Sequence, residues 1–282
     1  MTLREWLECG TAQLAAGPHP QRARRDAETL LLHLIGKSRA WLLTRLNEDF
    51  AGCTAIRYAS LLERRLKGEP IQYITGETEF YGLPFRVTPD VLIPRPETEH
   101  LVEKVGELAP LFRKPRIVDV GTGSGAIAIA LAHEWPSAIV TAVDTSEPAL
   151  AVARENAERV GFASRIRFLH GDLLTPVACE RFDIVVSNPP YVSSADRDSL
   201  AVEVREFEPA VALFASNDGL DIYRRLIPSA FAVLEAGGFI ALEIGCGQEP
   251  AIRSLLVSAE FAQIEFVSDL QSIPRVAVAR RA

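Results

Sequence analysis

Apolar residues in the first quarter of the chain recur every three to four positions. Leu3, Trp6, Leu7 and Leu14 form one stripe, and Ala27, Leu30, Leu31 and Leu34 a second, which is the spacing of amphipathic helices. The breaks between them carry helix punctuation. Gly17-Pro18 separates the first two helices, Gly36 ends the second, Ser38 caps a short third around Trp41-Leu42-Leu43, and Thr54 caps a fourth that ends at Gly68. A small helical bundle over residues 1–70 is therefore expected. Past Gly68 the texture becomes β-like, in Ile71-Gln72-Tyr73-Ile74, Thr78-Glu79-Phe80-Tyr81 and Phe85-Arg86-Val87, set apart by Gly76 and Gly82. These segments predict a β-hairpin linker over residues 71–96. Its end, Val91-Leu92-Ile93-Pro94-Arg95-Pro96, is stiffened by two prolines around Arg95 and suits a lip beside a pocket or a plain connector.

From residue 116 the pattern changes again. Apolar β runs at 117–120, 139–143, 166–169, 183–187, 239–244, 262–267 and 276–280 alternate with helical stretches. That alternation predicts a doubly wound α/β sheet within a domain over residues 97–282, and the short connection from Phe266 to Val276 predicts an antiparallel hairpin at its end.

Composition narrows the classes. At 282 residues and 48% hydrophobic, the chain fills one medium domain and one small one. A formal charge of -7 argues against gripping nucleic acid through general basicity, although Arg22, Arg24, Arg25, Arg64, Arg65 and Lys67 offer a docking face on the helices. Cys9, Cys53, Cys179 and Cys246 lie far apart without a C-x-x-C pair, so neither a metal site nor a disulfide framework is expected. No apolar run approaches the roughly 18 residues of a membrane span, and the cytoplasm is the expected location.

Two strand endings carry chemistry. Ile117-Val118-Asp119-Val120 runs into Gly121-Thr122-Gly123-Ser124-Gly125 and then a helix, so glycines let backbone approach a ligand beside free helix N–H groups. The next strand ends at Asp144, the position of a carboxylate that accepts from ribose hydroxyls. Gly121-x-Gly123-x-x-Ala126 also satisfies a dinucleotide fingerprint, which keeps an NAD enzyme open. Gly171-Asp172 follows the third strand. The fourth, Phe182-Asp183-Ile184-Val185-Val186-Ser187, stops at Asn188-Pro189-Pro190-Tyr191 on the same carboxyl edge. Prolines cannot extend the ladder, so this turn leaves main-chain carbonyls free, and Asn188 adds a side-chain oxygen. Fixed acceptors of this kind suit the N–H groups of an amine or amide, although Asn-Pro is also a common turn starter. Together the polar tips around one glycine turn resemble the pocket of S-adenosylmethionine methyltransferases.

With these residues in place the sequence resembles the HemK/PrmC family of protein-(glutamine-N5) methyltransferases. The likeness rests on Glu69-Pro70-Ile71-Gln72-Tyr73-Ile74-x-Gly76, Glu79-Phe80-Tyr81-Gly82-Leu83, Ile93-Pro94-Arg95-Pro96-Glu97-Thr98-Glu99, the Asp119 to Gly125 turn, Asn188-Pro189-Pro190-Tyr191 and Asp269-Leu270-x-x-x-Pro274-Arg275. It covers nearly the whole chain. The resemblance implies a seven-stranded Rossmann-like catalytic domain, an N-terminal substrate-recognition bundle, S-adenosylmethionine as cofactor, and release factors as protein substrates without direct nucleic-acid binding. It assigns Gly121, Thr122, Gly123, Ser124, Gly125, Asp144, Asp172, Leu173 and Asn188 to the cofactor. Asn188, Pro189, Pro190 and Tyr191, with Arg95, fall to the substrate amide and its transfer. Leu173 stands where some relatives carry an aromatic, which implies aliphatic packing against adenine. The Asn-Pro-Pro-Tyr turn alone is shared with nucleic-acid adenine methyltransferases, so these remain the alternative. A non-catalytic binding module is a further one.

Overall fold

The computed structural model describes residues 1–49 and 53–282, which fall into two compact units. One comprises residues 1–77 together with 200–207, and the other residues 78–199 and 208–282. The first is helical: α1 (Leu3–Leu14), α2 (Ala23–Ile35), α3 (Arg39–Thr44), α4 (Cys53–Leu66) and α5 (Ile71–Thr75). Thr2 caps α1 through a capping box with Glu5, Gly36 ends α2 at φ 62°, and Ser38 caps α3. Thr54 lies inside α4 rather than capping it, since that helix already begins at Cys53. The two stripes meet around Leu7, Leu30, Leu31, Leu42 and Tyr58, and the Tyr58 hydroxyl donates to the Ala27 carbonyl at 2.9 Å.

Ile71-Gln72-Tyr73-Ile74 is a correction to the β-like reading. The segment forms α5, entered through Pro70 and closed by Gly76 at φ 77°, because its caps outweigh the β propensity of Ile and Tyr. The basic docking face is also reduced. Arg65 is 3% exposed and pairs with Asp26 at 2.7 Å and Glu203 at 3.0 Å, Arg64 pairs with Glu69, and Lys67 with Glu63.

The second unit takes up the chain at Thr78, within β1 (Glu77–Phe80), and runs through β2 (Leu83–Arg86), α6 (Glu99–Leu108), β3 (Arg116–Val120), α7 (Ala126–Glu134), β4 (Ile139–Asp144), α8 (Glu147–Arg159), β5 (Ile166–His170) and β6 (Phe182–Ser187). After β6 the chain enters α9 (Val202–Phe207), which belongs to the helical unit. It returns for α10 (Ala210–Leu213), α11 (Asp221–Val233), β7 (Leu234–Glu243), α12 (Glu249–Ser258), β8 (Phe261–Ser268) and β9 (Pro274–Arg281). Seven strands make one sheet in the order β5-β4-β3-β6-β7-β9-β8. β9 runs antiparallel to both neighbours, so the terminal hairpin is as expected. Strand β7 begins earlier than its apolar run, at Leu234, because Gly237-Gly238 sits within an irregular pairing to β6 instead of ending a loop.

The hairpin β1–β2 turns at Tyr81-Gly82, both at positive φ, as a two-residue hairpin requires. Phe80 and Phe85 are buried against the sheet unit's core. No helix among the described residues is long and apolar enough to cross a membrane.

Candidate active site

The strand order reverses between β3 and β6, which places the ligand crevice of a doubly wound sheet at their carboxyl ends. These two strands are parallel neighbours in register, with Val120 opposite Ser187, and the Ser187 hydroxyl donates to the Val120 carbonyl at 2.6 Å. The next residue on each is Gly121 and Asn188. Adjacent strands lie about 4.8 Å apart, so the glycine turn and the Asn-Pro-Pro-Tyr turn leave the sheet side by side.

Gly121 and Gly123 have φ of 73° and 55°, and a Cβ on either would project into open space. Their bare backbone therefore borders a cavity, lined also by Asp144, Leu173, Asn188 and Pro189. Asp144 fixes the turn: Oδ2 accepts from the Gly123 N–H and Oδ1 from the Ser146 N–H, both at 2.8 Å. Burial pushes its carboxyl above the usual range, and these N–H donors pull against that. The Thr145 N–H donates to it as well, so about one of the carboxylate's four lone-pair sites is left for a ligand hydroxyl.

Other residues of the expected set take different positions. Thr122 and Ser124 are buried, and the Thr122 hydroxyl donates to Asp119 at 2.6 Å. Gly125 starts α7 at φ 82°, where a Cβ would meet Ile129 and Ala153 at 3.0 and 3.1 Å. These three shape the turn from behind. Asp172 lines the cavity at an exposed position and pairs with Arg225, while Leu173 holds a φ of 50° beside it. Pro190 lines the cavity next to Pro189. The Arg95 guanidinium is turned onto Glu208 at 2.5 Å.

Two residues given no role from the sequence stand behind Asn188. Its Nδ2 donates to the Thr98 hydroxyl at 3.1 Å, and that hydroxyl donates to Glu243 Oε2 at 2.6 Å. The Tyr191 hydroxyl donates to Glu243 Oε1 at 3.3 Å. Glu243 is 2% exposed; burial pushes its carboxyl up and the two hydroxyls pull it down. The signal was present, since Glu243 is an acid closing an apolar strand, as Asp144 is. Asn156 was also missed. Fully buried on α8, it accepts from the Arg86 N–H at 2.7 Å and donates to the carbonyls of Arg86 and Ser124, tying the hairpin to the glycine turn.

Residues 97–222 match the methyltransferase small domain and residues 5–76 the PrmC N-terminal domain. A release factor glutamine methyltransferase of Koribacter versatilis is 42% identical over 282 residues, covering 100% of this chain and 99% of that protein. One from Moorella thermoacetica is 46% identical over 255 residues, covering 90% and 89%. Among solved structures, a 16S rRNA methyltransferase of T. thermophilus in complex with AdoMet and guanosine aligns with a TM-score of 0.55 at 23% identity, covering 73% of this chain and 50% of that one. The last likeness concerns the fold alone. Identity sustained along the whole length is the stronger result, and by it the chain belongs to the release factor glutamine methyltransferase family.

Proposed function

We propose that the protein transfers a methyl group from S-adenosylmethionine to the side-chain amide nitrogen of the glutamine in the Gly-Gly-Gln motif of release factors. The observation that carries this reading is the pair of adjacent strand tips, an open glycine cradle beside an asparagine whose Nδ2 is tied back. Bound in the cradle, S-adenosylmethionine supplies an electrophilic methyl group. Gly121 and Gly123 admit it to the backbone, Asp144 accepts from a ribose hydroxyl, and Asp172 and Leu173 border the adenine. Thr122, Ser124 and Gly125 hold the shape of the turn.

An amide nitrogen is a poor nucleophile because its lone pair is delocalised into the carbonyl, so orientation is the main task. Asn188 Oδ1 accepts one N–H of the substrate amide and the Pro189 main-chain carbonyl the other, which aims the nitrogen at the methyl group. The same acceptors bind more tightly as positive charge grows on nitrogen, which favours the transition state over the bound substrate. The surplus proton leaves to water. Pro190 keeps the turn stiff, and Tyr191 flanks the glutamine. We assign Arg95 to the rim facing the substrate and residues 1–70 to the body of the release factor. The reaction belongs in the cytoplasm and involves no direct nucleic-acid contact.

Mass spectrometry of a release factor after incubation with protein and S-adenosylmethionine tests this. One added methyl on the Gly-Gly-Gln glutamine is expected. Label entering adenine of DNA or RNA, with none in the protein, would instead support the nucleic-acid alternative.

A further inference from the structure

We propose that Thr98 and Glu243 are positioning residues that fix which way the side-chain amide of Asn188 faces; this rests on the substrate reading above. The available protons decide the orientation. A threonine hydroxyl has one proton to give and lone pairs to accept with, and Glu243 accepts a hydroxyl at each of its two carboxyl oxygens. Thr98 gives its proton to Glu243 Oε2 at 2.6 Å, so towards Asn188 it can act only as an acceptor. The group presented to it must then be the amide NH2, at 3.1 Å, and Oδ1 is left on the side away from Thr98. Asn188 lines the cavity, so the oxygen is the atom offered to a substrate N–H.

Glu243 is held against slipping. The Tyr191 hydroxyl occupies Oε1 and the Tyr223 hydroxyl donates to the Glu243 main-chain carbonyl at 2.7 Å. Thr98 is held as well, closing a short turn from Pro96 in which its N–H donates to the Arg95 carbonyl at 3.1 Å. The Pro-Arg-Pro-Glu-Thr-Glu segment thereby acquires a task its sequence did not state: it brings one hydroxyl between a buried carboxylate and the substrate clamp. With that hydroxyl gone, the amide turns freely, and half its orientations offer a donor to another donor.

The test is Thr98→Val, which keeps the side-chain shape, with Thr98→Ser restoring the hydroxyl. Turnover of a Gly-Gly-Gln peptide should fall by about 10²-fold in Thr98→Val and recover in Thr98→Ser, because a misaimed group costs about that much. The KM for peptide and the Kd for S-adenosylmethionine should stay within about twofold, the split expected of an interaction realised in the transition state. A second measurement needs no substrate. Exchange of the Asn188 side-chain amide protons, followed by NMR, should be slower than that of exposed Asn217 in the wild type and in Thr98→Ser, and fast in Thr98→Val. Unchanged turnover in Thr98→Val, or a wild-type Asn188 amide exchanging as fast as that of Asn217, overturns the relay. A wild type that never labels the peptide would sink the substrate reading, and amide exchange then decides the relay alone.

Discussion

Asp144 ends β4 and Asn188 directly follows β6, each with a polar side chain at the cavity, and a single substitution separates their roles. Asn188→Ala should lower kcat by about 10²-fold while leaving cofactor affinity nearly intact, measured by single-turnover labelling beside equilibrium titration. Asp119 offers a different kind of test. Burial raises its carboxyl to about 7, the nearby charge of Asp144 adds to this, and the Thr122 hydroxyl opposes it. A folded-state pKa raised above the unfolded value contributes stability that is full below the unfolded value and lost as pH rises through about 7. Asp119→Asn, neutral throughout, should therefore gain in Tm relative to the wild type between pH 5 and pH 8. About 2–4 °C per kcal/mol is expected for a chain of this size. Asp144 and Asn188 were legible because each interrupts an apolar run. Glu243 closes an apolar strand in the same way, but its bond to Thr98 joins residues 145 positions apart, and no local pattern records that pairing.

Among the elements, the strands of the sheet were the most legible part of the fold, since a parallel strand buried on both faces writes itself as a continuous apolar run. Residues 71–74 misled for a physical reason: four residues carry composition but almost no period, and the caps on either side decide. Helix α8 shows what periodicity misses within a correctly placed element. Asn156 lies among its buried positions, yet it serves two backbone segments outside the helix. Asn156→Ala strands the buried Ser124 carbonyl and the part-buried backbone groups of Arg86, and should destabilise the sheet unit by about 3 kcal/mol in chemical denaturation. The Kd for S-adenosylmethionine should rise with it, since Ser124 belongs to the glycine turn.

In the whole molecule, the sequence marks domain organisation only by a change of period near residue 70, and nothing in that change records the membership of residues 200–207 in the helical unit. That segment is short and its partners are distant in sequence. Arg65, shared between Asp26 and Glu203, is the test at this scale. Arg65→Ala leaves a buried carboxylate unpaired and should cost about 3–5 kcal/mol. Hydrogen exchange should report the loss in residues 1–77 and 200–207 and spare β3 to β6. If residues 1–70 recognise the body of the release factor, methylation of the intact factor should fall further than that of the free peptide. The excursion of α9 also bears on how the chain is made. Synthesis delivers the five helices of the first unit long before residue 203, so during translation Arg65 is held by Asp26 without Glu203. The first-made part of the protein is therefore completed only after β3, β4, β5 and β6 have left the ribosome.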